Sequence, residues 1–180
     1  MLLRGDDTNP VLHIEELRRF PRRRPASVPG AAHVYLNSND RFYCPPGGFT
    51  AGELWLLGPR RLYVVDVSPH DLVRSLDVVS PASGVSASLA VSFVWRVYDP
   101  PFIVASNLVD VMVVIPEMLR AAVTEEIATL SWQTPPQLAA LLTRKVLPAR
   151  IALDGIELTG LSAEVLTLDD EPPAPRDSDG

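Results

Sequence analysis

Cysteine is almost missing from this 180-residue chain. Cys44 is the single one, so no disulfide can form within it, and a fold stapled by bridges is excluded. Lysine is nearly absent as well. Lys145 stands alone, and arginine supplies the rest of the basic charge. There is no basic surplus: the net charge of −6 argues against general affinity for nucleic acid. Long apolar runs are missing too. The longest, residues 111–116, lies between Asp110 and Glu117 and is far short of the roughly 20 residues that span a bilayer. Residues 1–7 contain no apolar run of signal-peptide length. A cytoplasmic location is expected, with the inner face of a membrane as a place of peripheral attachment.

What is present is an ordinary globular composition, 47% apolar and 21% charged, in a length suited to one domain with a sizeable core. Residues 85–98 alternate. Val85, Ala87, Leu89, Val91, Phe93, Trp95 and Val97 fall on one side of an extended chain, and Ser86, Ser88, Ser92 and Arg96 on the other. Shorter strands are expected at 33–36, 41–44, 53–57, 61–67 and 72–79, separated by turn residues. Apolar residues at three- and four-residue spacing predict a helix over 113–130, from Ile115 to Leu130. A second helix should open at Thr134-Pro135, carry Leu138, Leu141 and Leu142, and run to 153, where Asp154-Gly155 caps it. A last strand follows, with a bulge expected at Gly160-Leu161. Residues 1–32 are expected to be a flexible arm rich in arginine and proline, with one weak helical stretch over 9–20. Residues 33–168 form the domain, and 169–180 an acidic, disordered tail.

Catalytic signatures are wanting. No GxGxxG, GxxxxGK[ST] or GxSxG occurs. Gly47-Gly48 could approach a phosphate, but no helix N-terminus is expected after it, and it reads as a turn. His13, His33 and His70 are far apart and lack ligand spacing, so no metal or cofactor is expected. Cys44 has no readable base beside it and reads as a packed thiol. Glu125 and Glu126 diverge by about 100° on a helix and cannot converge on one substrate. The serines and Arg96 of the long strand read as an open sheet face or a subunit contact. Arg18, Arg19, Arg22, Arg23 and Arg24 form a local basic cluster, a candidate contact for a membrane or an acidic partner.

Three features stand in order: Trp95-Arg96-Val97-Tyr98-Asp99-Pro100 at the end of the long strand, Leu119-Arg120-Ala121-Ala122-Val123 on the first long helix, and Asp154-Gly155-Ile156-Glu157-Leu158 leading into the last strand. In these the chain resembles the SPFH domain of stomatins, prohibitins and flotillins, also called Band 7 or the prohibitin-homology domain. That family has a strand ending in a Tyr-Arg-Val-x-Asp-Pro-like sequence, a helix with a Leu-Arg-x-x-Val/Ile-like segment, and a second helix running into a Gly-Ile/Val strand. The resemblance covers residues 62–168 in order and spacing, and 33–61 loosely. Two family features are not read in these 180 residues: a hydrophobic N-terminal anchor, and a long Ala/Glu-rich helix after the domain.

The resemblance implies an α+β fold, a small antiparallel sheet packed against two or three helices. It implies a scaffold and not an enzyme, one that self-associates and organises partner proteins, usually at a membrane. The expected self-association surface is Ser86, Ser88, Ser92 and Arg96 with Val111 and Val113. The alternatives are a peripheral membrane protein that modulates a protease or channel, and a soluble ligand-binding α+β protein.

Overall fold

The computed structural model describes residues 8–17, 24–143 and 147–166. The chain begins with β1 (Val11–Glu16), β2 (Ala31–Leu36), β3 (Phe42–Tyr43), α1 (Ala51–Leu57) and β4 (Arg61–Asp66). It continues through β5 (His70–Val79), β6 (Ser86–Val97), α2 (Pro100–Ala105), a 3-10 turn (Val111–Val113), α3 (Ile115–Ala128) and α4 (Pro135–Leu142). It closes with β7 (Arg150–Leu153) and β8 (Ile156–Val165). The class is α+β, but the strands make two sheets where one was expected. Their orders are β1-β4-β2-β3 and β5-β6-β8-β7, antiparallel throughout.

Strand β6 sits inside the second sheet and pairs with β5 on one side and β8 on the other. Its odd-numbered side chains from Ala87 to Val97 are all buried, and none of the even-numbered ones is. The inner face carries Leu89, Phe93 and Trp95, and each large side chain so buried contributes about 1.5–3 kcal/mol. Helix α3 covers this face with Ile115, Met118, Leu119, Val123 and Ile127, the three- and four-residue spacing of one helical stripe. Leu138 and Leu142 of α4, Ile103 of α2 and Val111 complete the same core, which reaches Val34 and Val65 of the first sheet. A second, smaller core of Tyr35, Phe49, Leu54, Leu62 and Val64 lies between the first sheet and α1.

Several local expectations fail for identifiable reasons. Residues 53–57 form a helix, not a strand. Thr50 and Glu53 make a reciprocal capping box, and Gly58 closes the other end in the left-handed conformation. Residues 11–16 are strand, because pairing with β4 supplies the backbone hydrogen bonds that a weak helical stripe cannot repay. The arm proposed for residues 1–32 is therefore wrong where it is described: β1 is a sheet member, and Ala31 and Ala32 already belong to β2. Residues 18–23 and the tail from 169 lie outside the described residues.

The helix predicted to reach 153 stops at Leu142, and 150–153 is strand β7. Thr134 occupies the N-cap but makes no side-chain cap bond. Asp154 and Gly155 do not cap a helix. Both have positive φ, +49° and +81°, and form the two-residue turn that joins β7 to β8. The bulge falls where it was predicted. Ser92 pairs with Ser162 and Val94 with Thr159, so Gly160 and Leu161 together face Phe93, with Gly160 at φ +63°.

Gly155 is also the junction between the sheet and α2. Its carbonyl accepts the N–H groups of Tyr98 and Asp99, and Asp99 caps α2 through Phe102. A Cβ there would meet the Asp99 carbonyl and Ile103 Cδ1, each at 3.1 Å. Gly155→Ala should therefore cost about 2–3 kcal/mol in urea unfolding, against about 1 kcal/mol for Gly84→Ala, whose added methyl meets open space at φ +70°. Equal losses would show that the junction is not tight.

Candidate functional site

The outward face of the second sheet is built by the period of its strands. Asp71, Val73, Ser75, Asp77 and Val79 of β5 lie beside Ser86, Ser88, Ala90, Ser92, Val94 and Arg96 of β6, in register. Beyond them stand Glu157, Thr159, Ser162 and Glu164 of β8. Small and uncharged side chains fill the middle, and no helix covers this face among the described residues. Ser88 donates to Asp77 across the β5–β6 pair. Val73 and Val79 are 60% and 61% exposed. At its margin β5 presents a ten-residue edge whose outer backbone groups have no strand partner among the described residues.

One charged cluster is fixed on this face. Glu157 is only 1% exposed, because Arg96 and Arg150 lie over it from the neighbouring strands, each through its Nε to a different carboxylate oxygen. The Arg150 guanidinium also lies 5.8 Å from the centre of the Tyr98 ring. Burial alone would raise the Glu157 carboxyl. The hydrogen bonds and charges of the two arginines outweigh it, and the carboxyl is held below its usual range. Arg96, assigned above to a surface contact, is thus engaged within the chain, though its side chain stays more than half exposed.

Other polar groups are arranged for structure. Asp66 accepts from the Ser68 hydroxyl and lies 3.2 Å from His70 Nε2. The carboxylate sits between serine and imidazole, so the imidazole is not placed to take the serine proton. His70 stacks on Trp95 at 4.4 Å, while Asp71 belongs to the other face of β5. Burial, then the Arg24 charge, lowers the His33 imidazole; burial, then Asp99, raises the Cys44 thiol, which disfavours its nucleophilic form. A recess of about 470 Å³ at one end of the first sheet is lined by Glu16, Leu17, Leu36, Asp40, Arg60 and Arg61. Its four charges are paired, Arg60 with Asp40 and Arg61 with Glu16. Among the described residues no group of His, Cys, Asp and Glu is placed to hold a metal ion.

The expected self-association set divides. Ser86, Ser88, Ser92 and Arg96 share one face. Val111 does not join them: it is fully buried, because Asp110 caps the 3-10 turn and directs Val111 into the main core. Val113 is 69% exposed, but on the helical side of the sheet. Of the arginine cluster only Arg24 is described, and it donates to the Gly47 carbonyl at 2.9 Å. Two features escaped sequence reasoning. One is Glu157, a carboxylate between Ile156 and Leu158, whose two partners come from other strands. The other is the exposed Trp55-Leu56-Leu57 of α1, whose signal was the Thr50-x-x-Glu53 box. No helix is long and apolar enough to cross a membrane among the described residues. Compared with known proteins, the chain matches no family model and no curated sequence.

Acid should destabilise the protein in two steps. A lowered histidine stabilises the fold above its unfolded value of 6.5, and that contribution is lost as pH falls below it; the lowered Glu157 behaves likewise below 4.5. Glu157→Gln should cost about 1–3 kcal/mol at neutral pH and shrink the lower step, to which the lowered Glu53 and Asp110 carboxyls also contribute, as read from urea midpoints between pH 3 and 8 at roughly unit intervals. An unchanged lower step would assign it to other carboxyls.

Proposed function

We propose that the chain is a non-catalytic scaffold domain of the SPFH or Band 7 type, which self-associates and organises partner proteins through the outward face and free edge of its second sheet. The observation that carries this reading is the long uncovered edge of β5 beside an uncovered face of small side chains. Such an edge is a template for strand addition, and a ten-residue strand can pair with a second copy of itself about a two-fold axis. The sequence selects among registers. An axis through Arg74 would set Arg74 against its own copy and Asp71 against Asp77, which like charges oppose. An axis through Ser75 sets Asp71 opposite Val79, Leu72 opposite Val78 and Val73 opposite Asp77.

The resemblance gains support from geometry. Two of its three sequence features meet in space: the Trp95–Pro100 segment, with the cap of α2 at Asp99, and the Asp154-Gly155 turn share the hydrogen bonds around the Gly155 carbonyl. The first helix of the resemblance, α3, lies over the inner face of the same sheet. Peripheral placement on the inner face of a membrane belongs to the proposal.

Light scattering of the full chain tests the reading. The wild type should form a dimer or a larger assembly as concentration rises. Ser75→Lys should shift it toward monomer by setting two like charges opposite each other, and mixing Ser75→Lys with Ser75→Glu chains should restore the pair. A wild type that stays monomeric at high concentration, or an assembly indifferent to Ser75→Lys, overturns edge-mediated self-association.

A further inference from the structure

Residues 45–49 close over His33 and Tyr35 of β2. His33 is 9% exposed and Tyr35 is fully buried, and by alternation both lie on the α1 side of the first sheet. Gly47 and Gly48, at φ +74° and +78°, bring the segment down onto them. The fit leaves no room for a side chain: a Cβ on Gly48 would stand 3.1 Å from Tyr35 Oη and 3.2 Å from His33 Nδ1. The Gly48 N–H bonds the Pro45 carbonyl, and the Phe49 N–H donates to Tyr35 Oη at 3.4 Å. From outside, Arg24 ties the segment by donating to the Gly47 carbonyl. The Thr50–Glu53 box and the buried Leu54 follow directly, so closure of the segment sets where α1 begins.

The groups around His33 offer a proton there no counter-charge. Arg24 acts on the imidazole from the segment before β2. Across the sheet His33 faces Val64 of β4, with His13 of β1 beyond it in the same row. Asp66, the next residue of β4 on this face, is engaged with Ser68 and His70. Glu53 of α1 accepts from the Thr50 N–H and hydroxyl. Tyr43 of β3 lies opposite Tyr35. The Tyr35 hydroxyl and the Cys44 thiol are both raised, chiefly by burial, and stay neutral. Among the described residues no carboxylate bonds His33. A protonated His33 would set a second positive charge, buried and unpaired, near Arg24.

We propose that residues 45–49 are a proton-released latch, shut while His33 is neutral and swung out about Gly47 and Gly48 when His33 takes up a proton. Opening admits water to the imidazole and frees Arg24 from Gly47, so both charges are solvated. It uncovers Tyr35 and Phe49 and loosens the start of α1, while the main core around β6 stays closed. The sign follows from the closed form, in which burial, then Arg24, holds His33 below its ordinary 6.5. Closure is fully supported above 6.5. Below it, closure weakens by up to about tenfold per pH unit, until the closed form takes the proton as well. The latch is separate from self-association and uses no residue of β5.

Hydrogen exchange of the full chain in low urea reads the latch, because local opening is nearly insensitive to urea and global unfolding is not. Rates are measured at about pH 7.5, 6.5 and 5.5 and corrected for the intrinsic effect of pH. The Gly48 and Phe49 amides should exchange through an opening that urea barely affects, and their protection should fall about three- to tenfold from pH 6.5 to 5.5. Amides of β6 should keep to the urea-dependent, global route. His33→Gln should abolish the fall at Gly48 and Phe49. Should that variant fold poorly, Arg24→Ala decides, since Arg24 is exposed. It should lower protection severalfold at neutral pH by cutting the tie to Gly47, and make the fall below 6.5 shallower.

Urea-dependent exchange of Gly48 and Phe49 at every pH overturns the latch, because the segment then opens only with the whole fold. An unchanged fall in His33→Gln, or an Arg24→Ala chain that exchanges like the wild type, overturns it too. So does a His33 imidazole that titrates at 6.5 by nuclear magnetic resonance. The Ser75 experiment is unaffected by any of these results, so the two readings fail separately.

Discussion

Everything in the second sheet depends on β6 being satisfied on three sides at once. Its backbone bonds β5 and β8, and its inner side chains must meet α3, so neither neighbour nor helix can slide by one residue without exposing Phe93 and Trp95. A one-residue slip turns every side chain over, which is why a strand with one buried face fixes its own register. The segment after β6 inherits that register. Asp99 leaves the sheet at a set height, caps α2, and brings Ile103 against the turn at Gly155.

The legibility of the sequence follows the same logic. β6 and α3 could be read directly because each has a single buried face, and burial writes a period of two or of three to four into the residues. The bulge at Gly160-Leu161 was readable for a related reason, a glycine interrupting an apolar alternation. The first sheet was not readable. β1 is an edge strand with mostly exposed side chains, so pairing rather than burial determines it. For 53–57 the apolar run suits a strand or a helix equally, and the decision rests on the cap residues at Thr50, Glu53 and Gly58. For 150–153 the chain follows the Asp154-Gly155 turn, whose two positive φ values suit a hairpin as well as a helix end.

The candidate site was half legible. The serines of β6 follow from alternation alone. The burial of Val111 does not, since a short apolar run says nothing of which member turns inward until a capping aspartate sets the 3-10 turn. Glu157 required knowledge of the strand order: Arg96 and Arg150 come to it only because β8 lies between β6 and β7. That cluster and the exposed face of α1 are held on different sheets, so the molecule presents two surfaces of different chemistry: a flat one of small polar groups, and a protruding apolar one.

The bulge in β8 has a consequence for how this chain can vary. Before it the even-numbered side chains Ile156 and Leu158 face the core; after it the odd-numbered Ala163 and Val165 do, pairing across to Val91 and Leu89. The strand therefore reads its own sequence in two frames, joined at Gly160. Loss of Gly160 or Leu161 would remove the bulge and merge the two frames into one alternation, with Ser162 still opposite Ser92 and with Ala163 and Val165 still inward. A residue lost elsewhere inside the strand would turn one half over, so change in its length should be found at the bulge or at the ends, whereas substitution is free on whichever parity faces out in each half.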